Sequence, residues 1–112
     1  QRHAVRTGEP AEPMVEVGEL RIDRARREVT MAGTPVHLTP TEFKLLMALA
    51  RSPGRVMTHT HLLRELWGPG AVHQHPYLRV HMGNLRHKLE PEPSRPRYLL
   101  SEPRVGYRLR EE

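Results

Sequence analysis

Residues 76–89 read Pro-Tyr-Leu-Arg-Val-His-Met-Gly-Asn-Leu-Arg-His-Lys-Leu. Leu78, Met82, Leu85 and Leu89 fall at i, i+4, i+7 and i+11, which is one face of a helix turning about 100° per residue. The spacing therefore predicts a helix over 76–89. The opposite face holds Val80, Gly83, Asn84 and His87, flanked by Arg79 and Arg86. No acid appears before Glu90, whereas a merely solvated helix is normally decorated with Glu–Lys pairs. Arg can bond guanine O6/N7 and Asn adenine N6/N7, each in bidentate fashion, in a major groove about 12 Å wide. Gly83 would let the helix backbone approach a duplex closely.

After this helix, Pro91-Glu92-Pro93-Ser94 breaks the pattern, and Arg97–Ser101 and Gly106–Arg110 read as the two strands of a hairpin. The hairpin carries Arg104 and Arg108, which can reach phosphates or a minor groove. Before it, Thr58 caps a helix with Leu62, Leu63 and Leu66 inward, stopped at Trp67-Gly68-Pro69-Gly70, and a short strand at Arg55–Met57 leads in. Earlier still, Thr39-Pro40-Thr41-Glu42 is a capping box with proline at the first helical position. Phe43, Leu46, Met47 and Ala50 then give one buried stripe. Residues 14–37 alternate in short apolar pieces around Gly18, Arg24–Arg27 and Ala32-Gly33-Thr34, which fits three or four antiparallel strands. The expected fold is α+β: a winged helix-turn-helix with an N-terminal antiparallel sheet, three helices and a C-terminal β-hairpin wing.

Composition sets limits. The 112 residues suit one domain, and a chain of this size buries roughly 65% of its unfolded surface, enough for a core without disulfides. There is no Cys, which excludes a disulfide scaffold and a thiolate zinc site. No apolar run approaches the ~20 residues of a membrane span, so a cytoplasmic domain without a membrane partner is expected. Asp23 is the sole aspartate among 13 acids, which argues against a carboxylate-rich phospho-acceptor pocket. The net charge is +5, and residues 76–110 carry eight Lys/Arg against three Glu. On charge alone, a polyanion binder and an Arg-rich solvated surface fit equally well. Residues 1–13, QRHAVRTGEPAEP, bury too little to order themselves and read as a flexible linker. The absence of an initial Met reads as a fragment whose linker leads from another domain, with residues 14–110 as the folded unit.

Leu38–Leu46, Leu62–Gly68, Val80–Leu89 and Val105–Arg108, in that order along residues 14–110, closely resemble the effector domains of OmpR/PhoB-type response regulators. Within that family, Trp67–Val72 and Tyr77–Gly83 look most like the branch governing a potassium-uptake operon. The resemblance implies a sequence-specific transcription factor that binds direct repeats of double-stranded promoter DNA as a head-to-tail dimer. It also implies a missing receiver domain, phosphorylated by a sensor histidine kinase, ahead of the linker. Carried over by position, Arg79, Gly83, Asn84, Arg86 and His87 match the groove-facing helix, His81 a phosphate contact and Trp67 a backbone contact, while Ser101 and Tyr107 match wing contacts. The loop Gly68–His75, with Pro69, Gly70, Ala71, Val72 and His73, would face RNA polymerase. Two positions depart from the pattern. Arg79 stands where many members have Asp, shifting readout toward guanine. Pro103 stands where many have the wing Arg, with Arg104 one place later, which leaves minor-groove insertion by Arg104 open.

Competing readings exist. Trp67 can close the core between helices, and Tyr107 can be hairpin packing. His59-Thr60-His61 and His73-Gln74-His75 suggest metal ligands, yet residues two apart at a helix start point to different sides. No metal or cofactor is expected. No Ser/His/Asp set, phosphate-cradling Gly loop or carboxylate pair appears, so an enzyme is not expected. The alternative in another class is a winged-helix module for protein–protein association.

Overall fold

The computed structural model describes residues 14–111. Four strands open the chain: β1 (Met14–Val17), β2 (Leu20–Asp23), β3 (Glu28–Met31) and β4 (Thr34–Val36). They pair antiparallel in chain order, with Val15 opposite Ile22, Ile22 opposite Val29 and Val29 opposite Val36. Side chains alternate across a strand, so this register gathers Val15, Val17, Leu20, Ile22, Val29 and Val36 on one face. Val17, Leu20, Ile22 and Val29 are buried there. Ala32 and Gly33 both take positive φ, 53° and 82°, the two-residue hairpin geometry that matches strand twist.

The helix α1 (Pro40–Ala50) starts as its sequence dictates. Thr39 Oγ1 accepts from the Glu42 N–H at 3.2 Å, and Glu42 Oε1 accepts from the Thr39 N–H at 3.0 Å. The expected single stripe is too narrow, however. Glu42, Leu45, Ala48 and Leu49 are buried along with Phe43, Leu46 and Ala50, and Met47 is only half-buried. The reason is position: α1 is the central helix, packed by other elements on more than one side.

The strand expected at Arg55–Met57 is instead β5 (Met57–Thr58). It does not stand alone. Met57 pairs with Tyr107 and Thr58 with Gly106, so the terminal hairpin becomes a three-stranded sheet. The helix α2 (His59–Trp67) follows, with Thr58 as its cap. A single 3-10 turn (Ala71–His73) leads to α3 (His75–Leu89), which begins one residue earlier than expected. All four residues of the predicted apolar face, Leu78, Met82, Leu85 and Leu89, are buried.

The closing strands are β6 (Leu99–Glu102) and β7 (Gly106–Leu109), in sheet order β5-β7-β6. β6 starts two residues later than expected because Glu90 intervenes. Its buried carboxylate accepts the backbone N–H groups of Arg97 (2.7 Å), Tyr98 (3.0 Å) and Leu99 (2.8 Å). The fold is thus a winged helix: the N-terminal sheet lies on one side of the helical core and the wing follows α3. Among the described residues, no helix is long and apolar enough to cross a membrane.

Candidate nucleic-acid interface

The buried stripe of α3 fixes what its other side shows. Val80, Asn84 and His87 are exposed at the centre of the outer face, with Gly83 half-exposed between them. One flank carries Arg79 and Arg86, and the opposite flank His81 and Lys88. The sequence-predicted contacts therefore split into three groups.

On the first flank, Arg79 is exposed. Arg86 is half-buried and turned to the wing. Its Nε and Nη2 donate to the Leu99 carbonyl at 3.1 and 2.8 Å, Nη2 also donates to Ser101 Oγ at 2.8 Å, and the guanidinium lies 5.6 Å from the Tyr107 ring centre. Burial lowers its pKa, while Tyr107 and Glu90 oppose that effect. Arg86 and Ser101 are thus brought together as a brace between α3 and β6. On the second flank, Lys88 Nζ donates to the buried Glu42 carboxylate at 2.6 Å, so the capping-box acid is also an ion-pair partner. The His81 ring packs 5.6 Å from that of Trp67, which is 40% exposed at the end of α2. Its Nδ1 has no hydrogen-bond partner among the described residues.

In the wing, Arg104 sits at the exposed turn with φ 67°. Arg108 pairs with Glu102 at 2.8 Å, which the charge count alone did not reveal. Tyr107 is buried as hairpin packing, with its ring centre 5.3 Å from that of His59 in an edge-to-face arrangement. In the loop between α2 and α3, Pro69, Gly70 and His73 are exposed and Ala71 is buried; Val72 belongs to the 3-10 turn.

The fold also joins residues that the sequence kept apart. His59, at the start of α2, and His75, at the start of α3, have ring centres 5.2 Å apart. One member of each His pair therefore meets, yet the described residues hold no group of three or more His, Cys, Asp or Glu suited to a metal ion. Burial, then the neighbouring His75 and Arg79, lower the pKa of His59 below 6.5. An unfolded imidazole takes its proton near 6.5, the folded one only at lower pH. Neutral His59 therefore contributes stability that is present above that value and lost as pH falls. Acidification from about pH 7 to about pH 5.5 is expected to lower Tm by a few degrees, with a smaller fall in His59→Gln. An equal fall in that variant would place the loss elsewhere.

A helix-turn-helix whose third helix exposes Arg, Asn and His, braced to a wing, defines the class: a DNA-binding output domain of OmpR/PhoB type. The chain belongs to the family described as transcriptional regulatory protein, C terminal, which residues 33–109 match. It is 43% identical over 109 residues to the KDP operon transcriptional regulatory protein KdpE of Escherichia coli (strain K12), covering 97% of this chain and 48% of that protein. The Thermotoga maritima response regulator DrrB, an OmpR/PhoB homologue, superposes with a TM-score of 0.81 at 29% identity, over 88% of this chain and 45% of that one. The Klebsiella pneumoniae RstA DNA-binding domain, solved in complex with the RstA box, gives a TM-score of 0.81 at 27% identity, over 90% of this chain and 100% of that one. The chain spans about half the length of the KdpE relatives it matches.

Proposed function

We propose that this domain reads promoter DNA for a potassium-transport operon, as the output half of a phosphorylation-controlled regulator in the cytoplasm. The observation that carries this reading is the outer face of α3, where Arg79, Asn84 and His87 stand exposed with no acid between His75 and Leu89. The likeness to KdpE supports the operon, and the RstA complex supports a duplex as ligand. In this reading Arg79, Asn84 and His87 contact base edges, and Gly83 admits the backbone to the groove. His81 and Trp67 hold one phosphate strand, and Arg104, Ser101 and Tyr107 set the wing against the other. Arg86 acts through the wing it braces. Pro69 to His73 face RNA polymerase, and the domain binds direct repeats as a head-to-tail dimer. Residues 1–13 lie outside the described residues; in this reading they link to a receiver domain served by a sensor histidine kinase.

Fluorescence anisotropy with a duplex from upstream of a potassium-transport operon tests it. Affinity should drop steeply between low and physiological salt, because each neutralised phosphate releases counterions. Arg79→Ala should cost about 1–3 kcal/mol on that duplex and much less on a scrambled one. Equal loss on both would demote Arg79 to a phosphate contact. Salt-independent binding would sink the reading and favour the protein-association alternative, for which Tyr77 (60% exposed) and Val80 (56%) on α3 are the specific observation.

A further inference from the structure

The face of α1 that the DNA reading leaves unused borders a groove of about 860 Å³. Glu42 points to Lys88 of α3, and at about 100° per residue Lys44, Met47 and Arg51 lie roughly half a turn away. The groove thus opens on the side of α1 opposite α3. Its floor is apolar, built from Phe43 and Met47 of α1, from Met57 of β5 and from Val56 just before it.

Its rim is cationic. The Arg27 guanidinium lies 4.3 Å over the Phe43 ring. Arg24 donates to the Ala50 carbonyl at 2.7 Å, and its pKa is lowered by burial and by the neighbouring Arg51. Glu65 is the one carboxylate lining the groove among the described residues, and Arg51 already pairs with it. Lys44 and Arg55 are exposed, with no carboxylate partner among the described residues. Like charges gathered over a low-dielectric floor repel one another, and an anionic occupant relieves that repulsion.

We propose that this groove docks an acidic, amphipathic segment of a partner protein, its carboxylates meeting Lys44 and Arg55 and a Leu or Phe meeting the floor. Charge complementarity selects the sign of the occupant, and the apolar floor selects a peptide over a nucleic acid, whose backbone brings phosphates but no aliphatic anchor. A duplex seated on the outer face of α3 leaves this side open, so the domain can hold DNA and the acidic segment together. The proposal is independent of which DNA is read.

The test uses a short fluorescein-labelled peptide alternating Glu and Asp with Leu and Phe. Anisotropy should report salt-sensitive binding that weakens about tenfold in the Lys44→Gln/Arg55→Gln double variant. Both positions are exposed, and an unchanged Tm certifies the fold. A peptide with Ser in place of Leu and Phe should bind equally poorly, which charge attraction alone would not produce. A saturating promoter duplex should leave the peptide bound. The proposal is overturned if the peptide fails to bind or binds the double variant equally well. Displacement by the duplex, or equal competition from a single-stranded oligonucleotide, would assign the groove to nucleic acid and overturn it as well.

Discussion

Glu90→Ala is expected to lower the stability of the domain by about 3–5 kcal/mol and its Tm by roughly 15–25 °C. Glu90 is 6% exposed, and its carboxylate accepts from three successive backbone N–H groups. Those donors lie where the chain turns from the end of α3 into β6, and the β6–β7 ladder takes up the chain only from Leu99 onward, after Arg97 and Tyr98. Truncation strands buried donors, and each orphan costs about 1–3 kcal/mol. Against a total of about 5–15 kcal/mol this is a large share. The loss should reach DNA binding too, because Arg86 grips the same strand through Leu99 and Ser101. Glu90→Gln keeps one acceptor but turns an amide toward N–H groups, so it should fall between wild type and Ala. Thermal unfolding by circular dichroism checks the order. A Tm change below about 5 °C for Glu90→Ala would mean that water replaces the carboxylate at little cost, and the clamp would lose its assigned role.

How much of this was legible in the sequence depends on how far each interaction reaches. The capping box of α1 joins residues only three apart, Thr39 and Glu42, so its geometry was readable and correct. The buried face of α3 was equally plain, because its period is a property of the helix alone. What stayed hidden was long-range. The second role of Glu42, as partner of Lys88, joins residues 46 apart. β5 could not be seen to join the wing, since two residues carry no pairing signal. Glu90 looked like an ordinary acid after a helix, and only the returning chain at Arg97–Leu99 gives it a function. For the candidate site, the set of exposed α3 residues followed from the pattern, but Arg86 and Arg108 did not separate from Arg79. Counting charges cannot show that one is engaged by a carbonyl and a hydroxyl and another by Glu102. His59 and His75, sixteen residues apart, meet only because α2 and α3 start side by side.

Gly106→Ala should be the most damaging alanine substitution among the described glycines, while Gly83→Ala should do the opposite. At Gly106 a Cβ would stand 1.9 Å from the Met57 carbonyl oxygen, 2.8 Å from its carbon and 2.9 Å from the Thr58 Cα. All three are backbone atoms, so no side chain can swing aside. β5 would have to leave β7, breaking the pairs Met57–Tyr107 and Thr58–Gly106 and pulling the buried Tyr107 ring from His59. The cost is about 3 kcal/mol or more, at or beyond the usual range for overpacking. Gly83 sits mid-helix, and a methyl there would meet nothing within 4 Å among the described residues. Alanine at this position removes backbone freedom from the unfolded chain and should stabilise by about 0.5–1 kcal/mol. If the helix backbone approaches the duplex at this point, the same methyl weakens promoter binding. The pair thus separates two uses of glycine: Gly106→Ala should unfold at low denaturant, whereas Gly83→Ala should melt later and bind more weakly. Unchanged affinity in Gly83→Ala would show that the duplex stays clear of this turn, and would move the closest approach of α3 toward Arg79 and Val80 at its N-terminal end.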